Sequence, residues 1–109
     1  MPRRKEFLPD EFYHVYNRGN NRQAIFMERE DYVFFLQRVV EYSSPNIAEL
    51  YVFCLMPNHF HLLLRTLTPD RLSKKLQHFF ISYAKTFNLR RGRIGHVFQD
   101  RFKAKPVES

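Results

Sequence analysis

The stretch IAELYVFCLMPNHFHLLLRT, residues 47–66, decides how this chain folds. Its first half, 47–56, is a nearly continuous apolar run of the kind found in strands covered on both faces, so it predicts a buried central strand. Pro57-Asn58 is a tight connection, and 59–66 is a second strand that pairs antiparallel with the first as a hairpin. Side chains alternate faces along a strand. Phe60, Leu62 and Leu64 therefore share one side, and His59, His61, Leu63 and Arg65 share the other.

Upstream of the hairpin, residues 12–17 (FYHVYN) are rich in aromatic and β-branched types and read as a strand, after a short polar arm over 1–10. The turn-forming set Arg18-Gly19-Asn20-Asn21-Arg22 breaks it. Over 28–42 the apolar residues Tyr32, Phe35, Leu36, Val39 and Val40 recur at three- and four-residue steps, which predicts an amphipathic helix ended by Ser43-Ser44-Pro45-Asn46. Downstream, Asp70 is placed to cap a second helix carrying the stripe Leu72, Leu76, Phe79, Phe80, Tyr83 and Phe87. That helix runs to about Leu89 and dissolves in Arg90-Arg91-Gly92-Arg93. Residues 95–105 then hold one more short strand or an extended arm.

The order strand, helix, strand, strand, helix, strand is the split βαβ pattern. It predicts an α+β fold of the ferredoxin-like or RRM-like kind: an antiparallel sheet with both helices packed on one face. A length of 109 residues is that of a single domain spanning 1–109. The stop at PVES, soon after a basic segment and with nothing resembling a terminal cap, is compatible with C-terminal truncation.

Composition narrows the function classes. At 44% hydrophobic with 12 Phe and 6 Tyr, the chain has the apolar surface for a real core and is unlike a disordered tail. Eighteen Lys plus Arg against 11 acidic residues give +7, a balance that favours a polyanionic partner, nucleic acid before anionic membrane. The single cysteine, Cys54, excludes an intrachain disulfide and any multi-cysteine zinc site. With no signal peptide and no long apolar span, the expectation is a cytoplasmic, nucleoid-associated protein without a membrane role. Dimerisation would enlarge a modest core, but nothing in the sequence demands a homodimer.

His59 and His61, on one face at the start of a strand that follows a tight turn, are within reach of one divalent cation. The bland alternative is two ordinary half-buried strand histidines. The stretch YVFCLMPNHFHLLLRT resembles the signature hairpin of the IS200-like, single-tyrosine HUH transposases, including those associated with repetitive extragenic palindromes. The likeness continues in YHVYNRGNNRQAIF upstream and SYAKTFNLRRGRIGHVFQDRFKA downstream, covering about 13–105. His59-Phe60-His61 carries most of its specificity, matching the family's His–hydrophobic–His element.

The resemblance implies a DNA transposase that cuts and joins single-stranded, hairpin-containing DNA through a 5′-phosphotyrosine link. It implies His59 and His61 as metal ligands, Mg²⁺ or Mn²⁺ as cofactor, and Tyr83 as nucleophile, within the stretch Tyr83-Ala84-Lys85-Thr86-Phe87-Asn88. A phenol is a poor nucleophile near neutrality, so a cation that polarises the phosphate and stabilises developing negative charge is needed. Tyr83 also sits on an apolar helical stripe, where a tyrosine is ordinarily core. No third protein ligand stands out: the position four beyond Tyr83 is Phe87, leaving Asn88 or His14 as candidates.

Beyond the tyrosine, Lys85, Arg90, Arg91, Arg93, Arg101, Lys103 and Lys105 are opposed only by Asp100, with Phe98 and Phe102 interleaved. Cations for phosphates and aromatics for base stacking are the mixture expected for single-stranded nucleic acid, and Arg18 and Arg22 add to it. The competing reading is a non-catalytic single-stranded nucleic-acid-binding module, since the same strand order builds RNA-recognition domains. Neither their K/R-G-F-like motif nor the second H-x-[ST] element of two-histidine phosphoesterases is present.

Overall fold

The computed structural model describes residues 7–42 and 46–107. Most of the predicted polar arm, the Ser43–Pro45 helix terminator and the last two residues lie outside the described residues. The elements run β1 (Phe12–Arg18), α1 (Arg29–Tyr42), β2 (Ala48–Met56), β3 (His59–Thr66), α2 (Pro69–Arg91) and β4 (Lys103–Pro106), with one 3₁₀ turn at Asn20–Arg22. They form a four-stranded sheet of order β2-β3-β1-β4, antiparallel at every pairing. This is the predicted α+β split βαβ fold, and the segment read as strand or arm contains a strand. Among the described residues no helix is long and apolar enough to cross a membrane.

Both helices cover the same face of the sheet. Tyr13 and Val15 of β1, Phe60, Leu62 and Leu64 of β3, and Leu72, Leu76, Phe79, Tyr83 and Phe87 of α2 are all buried in one core. Phe35 of α1 sits at its centre, with ring centroids 4.9 Å from Phe79, 5.1 Å from Phe60 and 5.2 Å from Tyr83. The core is built largely of aromatic rings, whose tilted and edge-to-face contacts add about 0.5–1.5 kcal/mol per pair beyond their buried area.

Two expectations about elements need correction. β2 is an edge strand, not a central one: Tyr51, Val52, Phe53, Cys54 and Met56 are exposed, and only Ala48 is buried. A continuous apolar run predicts burial on both faces, but here only one face of the sheet carries helices, and the ladder is irregular between Leu50 and Val52. The cap of α2 falls on Thr68 rather than Asp70, because Pro69 occupies the first helical turn; Asp70 sits inside that turn, where its charge suits the helix dipole. Gly92, in the left-handed region at φ 60°, ends the helix.

A buried ion pair ties the helices together. The Asp31 carboxylate is 2% exposed; Oδ2 accepts the backbone N–H groups of Met27 (2.8 Å) and Glu28 (3.0 Å), capping α1, and also binds Arg91 of α2. Arg90 lies 3.7 Å from Oδ1. The Asp31→Ala substitution removes the cap and strands the Arg91 charge, so a loss of about 3 kcal/mol is expected, measured as a lowered urea midpoint.

Candidate nucleic-acid and metal site

The site begins with the hairpin turn, which three backbone hydrogen bonds clamp from outside. Gly19 N–H donates to the Asn58 carbonyl (2.9 Å), while Ile25 and Phe26 N–H donate to the Pro57 carbonyl (2.8 and 3.1 Å). The segment 19–26 thus wraps the turn from which His59 emerges. Its tightness requires glycine at 19, because a Cβ there would lie 1.9 Å from the Gln23 carbonyl oxygen.

Along β3 burial alternates strictly, so His59 and His61 stand half-buried on the face without helices. β1 runs beside it in the register Tyr16↔His61 and Arg18↔His59, putting His14, Tyr16 and Arg18 on the same open face. Of these, Tyr16, Arg18, His59 and His61, together with Asn17, Arg22, Asn58 and Lys103, line a cleft of about 620 Å³.

The histidine rings lie 5.2 Å apart, centroid to centroid. His59 Nδ1 lies 2.9 Å from the Asn58 side-chain oxygen, and since that oxygen only accepts, Nδ1 carries the proton and Nε2 the lone pair. His61 Nδ1 is 2.7 Å from His14 Nε2. In each ring Nδ1 is occupied, and Nε2 is the atom left for a ligand. Burial first, then the neighbouring His14 and His59, holds His61 below the usual imidazole range; burial and then Lys105 do the same for His14. A neutral ring is the ligating form.

Two imidazole nitrogens suit a divalent cation, but among the described residues no group of three or more His, Cys, Asp or Glu could hold a metal ion. The donor set therefore fits a cation whose remaining ligands are oxygens from water and a phosphate. Asn88, considered as a third ligand, lies on α2 and donates to the Gly95 carbonyl (2.8 Å).

Tyr83 is not brought to this cleft. It is 1% exposed in the core beneath the sheet, on the face opposite His59 and His61, and its hydroxyl donates to the Ile25 carbonyl. Burial first, and then the Asp31 carboxylate, pushes its phenol well above the ordinary range, making the nucleophilic phenolate still harder to reach. The helical stripe on which it lies is core throughout. Its hydrogen bond braces the segment that clamps the histidine turn.

The predicted cations divide in the same way. Arg18, Arg22 and Lys103 line the cleft. Arg90 and Arg91 lie on the helix side, paired with Asp31, and Arg91 stacks 4.3 Å over Phe87. Arg93 binds the Gln23 side chain, and Arg101 reaches Gln77 beside a second cleft between α2 and residues 95–102. Phe98 and Phe102 pack into the core edge against Phe80, so they offer no stacking surface on the open face. Sequence reasoning does not single out Tyr16, Asn17 or Asn58, which the fold brings to the cleft. The alternation of β1 could have found Tyr16, two residues from both His14 and Arg18.

Comparison with known proteins agrees with this architecture. Residues 10–109 match the family model described as "Transposase IS200 like". The chain belongs to the IS200-like transposase family. Among solved structures, a tyrosine transposase associated with REP sequences, bound to a REP hairpin, is similar at TM-score 0.65 and 16% identity. The match covers 100% of this chain and 62% of that one, so the chain spans less than two thirds of that protein's length. A Deinococcus radiodurans R1 protein assigned as a transposase is similar at TM-score 0.69 and 16% identity, covering 99% of this chain and 87% of that one. At these identities the likeness is one of fold. No curated protein sequence matches the chain.

If Tyr83 serves as a brace, Tyr83→Phe removes one buried hydrogen bond and orphans the Ile25 carbonyl. The expected cost is about 1–2 kcal/mol, a fall of several degrees in melting temperature. Affinity for a single-stranded oligonucleotide should stay unchanged within twofold in a fluorescence titration.

Proposed function

We propose that the chain is a DNA strand-transfer domain that binds single-stranded, hairpin-containing DNA across the open face of its sheet. A phosphodiester would be cut at the His59–His61 pair with the help of Mg²⁺ or Mn²⁺. The observation that carries this reading is the pair itself: two same-face imidazoles, both with Nδ1 engaged, in a cleft bordered by Arg18, Arg22 and Lys103. Family membership supports a transposase, and the solved REP-hairpin complex of a similarly folded protein supports hairpin DNA as the substrate.

His59 and His61 would hold the cation, which when bound neutralises charge on the phosphate. Arg18, Arg22 and Lys103 draw the backbone into the cleft and hold it there. In the covalent step a tyrosine oxygen bonds to phosphorus, the bond to the 3′ oxygen breaks, and that oxygen leaves with a proton as a free 3′-hydroxyl. The phosphotyrosine retains the phosphoester for rejoining. The attacking hydroxyl must reach the open face, which Tyr83 does not do from its place in the core. Tyr16, with its ring centroid 6.0 Å from that of His61, is the described tyrosine that lines the cleft.

The test is incubation with end-labelled hairpin oligonucleotide and Mn²⁺, followed by denaturing electrophoresis and peptide mapping of any covalent adduct. A band that disappears with chelator and in His59→Ala, yet persists in Tyr83→Phe, is expected; the mapped tyrosine identifies the nucleophile and separates Tyr16 from a tyrosine supplied by another chain or segment. Loss of the band in a folded Tyr83→Phe variant would return that residue to the chemistry. Binding without any adduct would favour the non-catalytic binder, a reading to which the burial of Tyr83 lends weight.

The cleft cations make a separate, quantitative claim. Each phosphate contact on single-stranded DNA contributes about 0.7 to the slope of log affinity against log salt. Arg22→Ala and Lys103→Ala should each weaken binding and flatten that slope by about this amount, whereas Arg91→Ala should lower stability and leave the slope alone.

A further inference from the structure

The open face carries a third histidine that the metal reading does not use. His14 lies on β1, where its register partner on β3 is Leu63, so it meets His61 as a diagonal neighbour. The two rings are inclined by only 23°, and His14 Nε2 sits 2.7 Å from His61 Nδ1. Tyr16 stacks on the His14 ring at 4.4 Å and 23°, restricting how His14 can turn. His14 does not line the cleft. Its Nε2 is directed at another imidazole and is unsuited to act as a third ligand in this arrangement.

A hydrogen bond between two imidazoles has two forms. If His14 donates, His61 keeps its proton on Nε2 and has no lone pair facing a ligand. If His61 donates from Nδ1, its Nε2 becomes the ligating atom. The second form reproduces what Asn58 does for His59, where the side-chain oxygen compels Nδ1 to donate. Metal-bound histidines generally give their second N–H to such an acceptor, and losing it typically costs 10–100-fold in metal affinity.

We propose that His14 is a positioning residue that accepts the Nδ1 proton of His61, fixing the tautomer and ring orientation in which His61 Nε2 binds the divalent cation. Asn58 and His14 then form a matched pair of acceptors, one from the turn and one from the neighbouring strand. The inference rests on the metal-binding reading of His59 and His61 and assigns the means by which that pair is set.

Mn²⁺ titration of the full chain, followed by the electron paramagnetic resonance of free ion, tests it together with nitrogen-15 spectra of the imidazoles. Wild-type His61 should show the tautomer protonated at Nδ1. The Mn²⁺ dissociation constant should rise about 10–100-fold in His14→Leu and recover substantially in His14→Gln, whose side-chain oxygen restores an acceptor. A wild-type spectrum with His61 protonated at Nε2 overturns the proposal, even if His14→Leu does not fold. Equal affinity in wild type and a folded His14→Leu overturns it as well. If wild type itself binds Mn²⁺ no better than His59→Ala, the metal site falls, and the role of His14 falls with it.

Discussion

Everything in this structure follows from a sheet that is covered on one side only. Both helices lie against one face, so each strand residue is committed by parity either to the core or to the open surface. In β3 that commitment separates neighbours: Phe60 is closed off among aromatic rings, while His59 and His61 on either side of it face outward. The rigidity of the histidine pair is inherited from the packing of Phe60 between them, together with Leu62 one step further on. A site mounted on a strand whose opposite face is fully packed is held more closely than one mounted on a loop.

The same division redefines Tyr83. Its helix does face the sheet, but His59 and His61 are on the sheet's other surface, and a four-stranded layer lies between. What its hydroxyl reaches instead is the Ile25 carbonyl, in the segment whose backbone N–H groups hold the Pro57 carbonyl. Helix α2, the 19–26 segment and the histidine turn therefore form one mechanically continuous unit, locked at its far end by Asp31 and Arg91. From that position the Tyr83 hydroxyl supports the segment behind the turn and does not touch the cleft.

How much of this was legible beforehand depends on the kind of signal. Periodicity and residue type located β1, β2, β3 and both helices and left 95–105 open between a strand and an arm, and strand alternation put His59 and His61 together, because each of these is a local property of the chain. Strand order is not local: the apolar run of β2 predicts a central strand, and nothing within 47–56 shows that one of its faces would be left open. The cations could be counted but not placed. Arg90 and Arg91 look like phosphate ligands until the buried Asp31 carboxylate, about 60 residues earlier, is seen to engage them. Phe98 and Phe102 likewise resemble stacking platforms until they are found against Phe80. The partnership of His14 with His61 joins positions 47 apart in sequence, and only the β1–β3 register makes it visible.

The alternation along β3 also sets how this segment can drift over evolutionary time. Positions 60, 62 and 64 answer to volume, and a substitution there is tolerated if the core can refill. Positions 59 and 61, under the proposed metal-binding role, answer to the placement of a single nitrogen atom, for which no other side chain is a close substitute. Adjacent codons are thus held by unrelated constraints: one set can wander among apolar residues in concert with the helices, while the other is either kept or lost outright. A lineage that ceased to need the chemistry could shed its histidines one by one and retain the fold, leaving a well-packed sheet whose outer face is free to acquire another use.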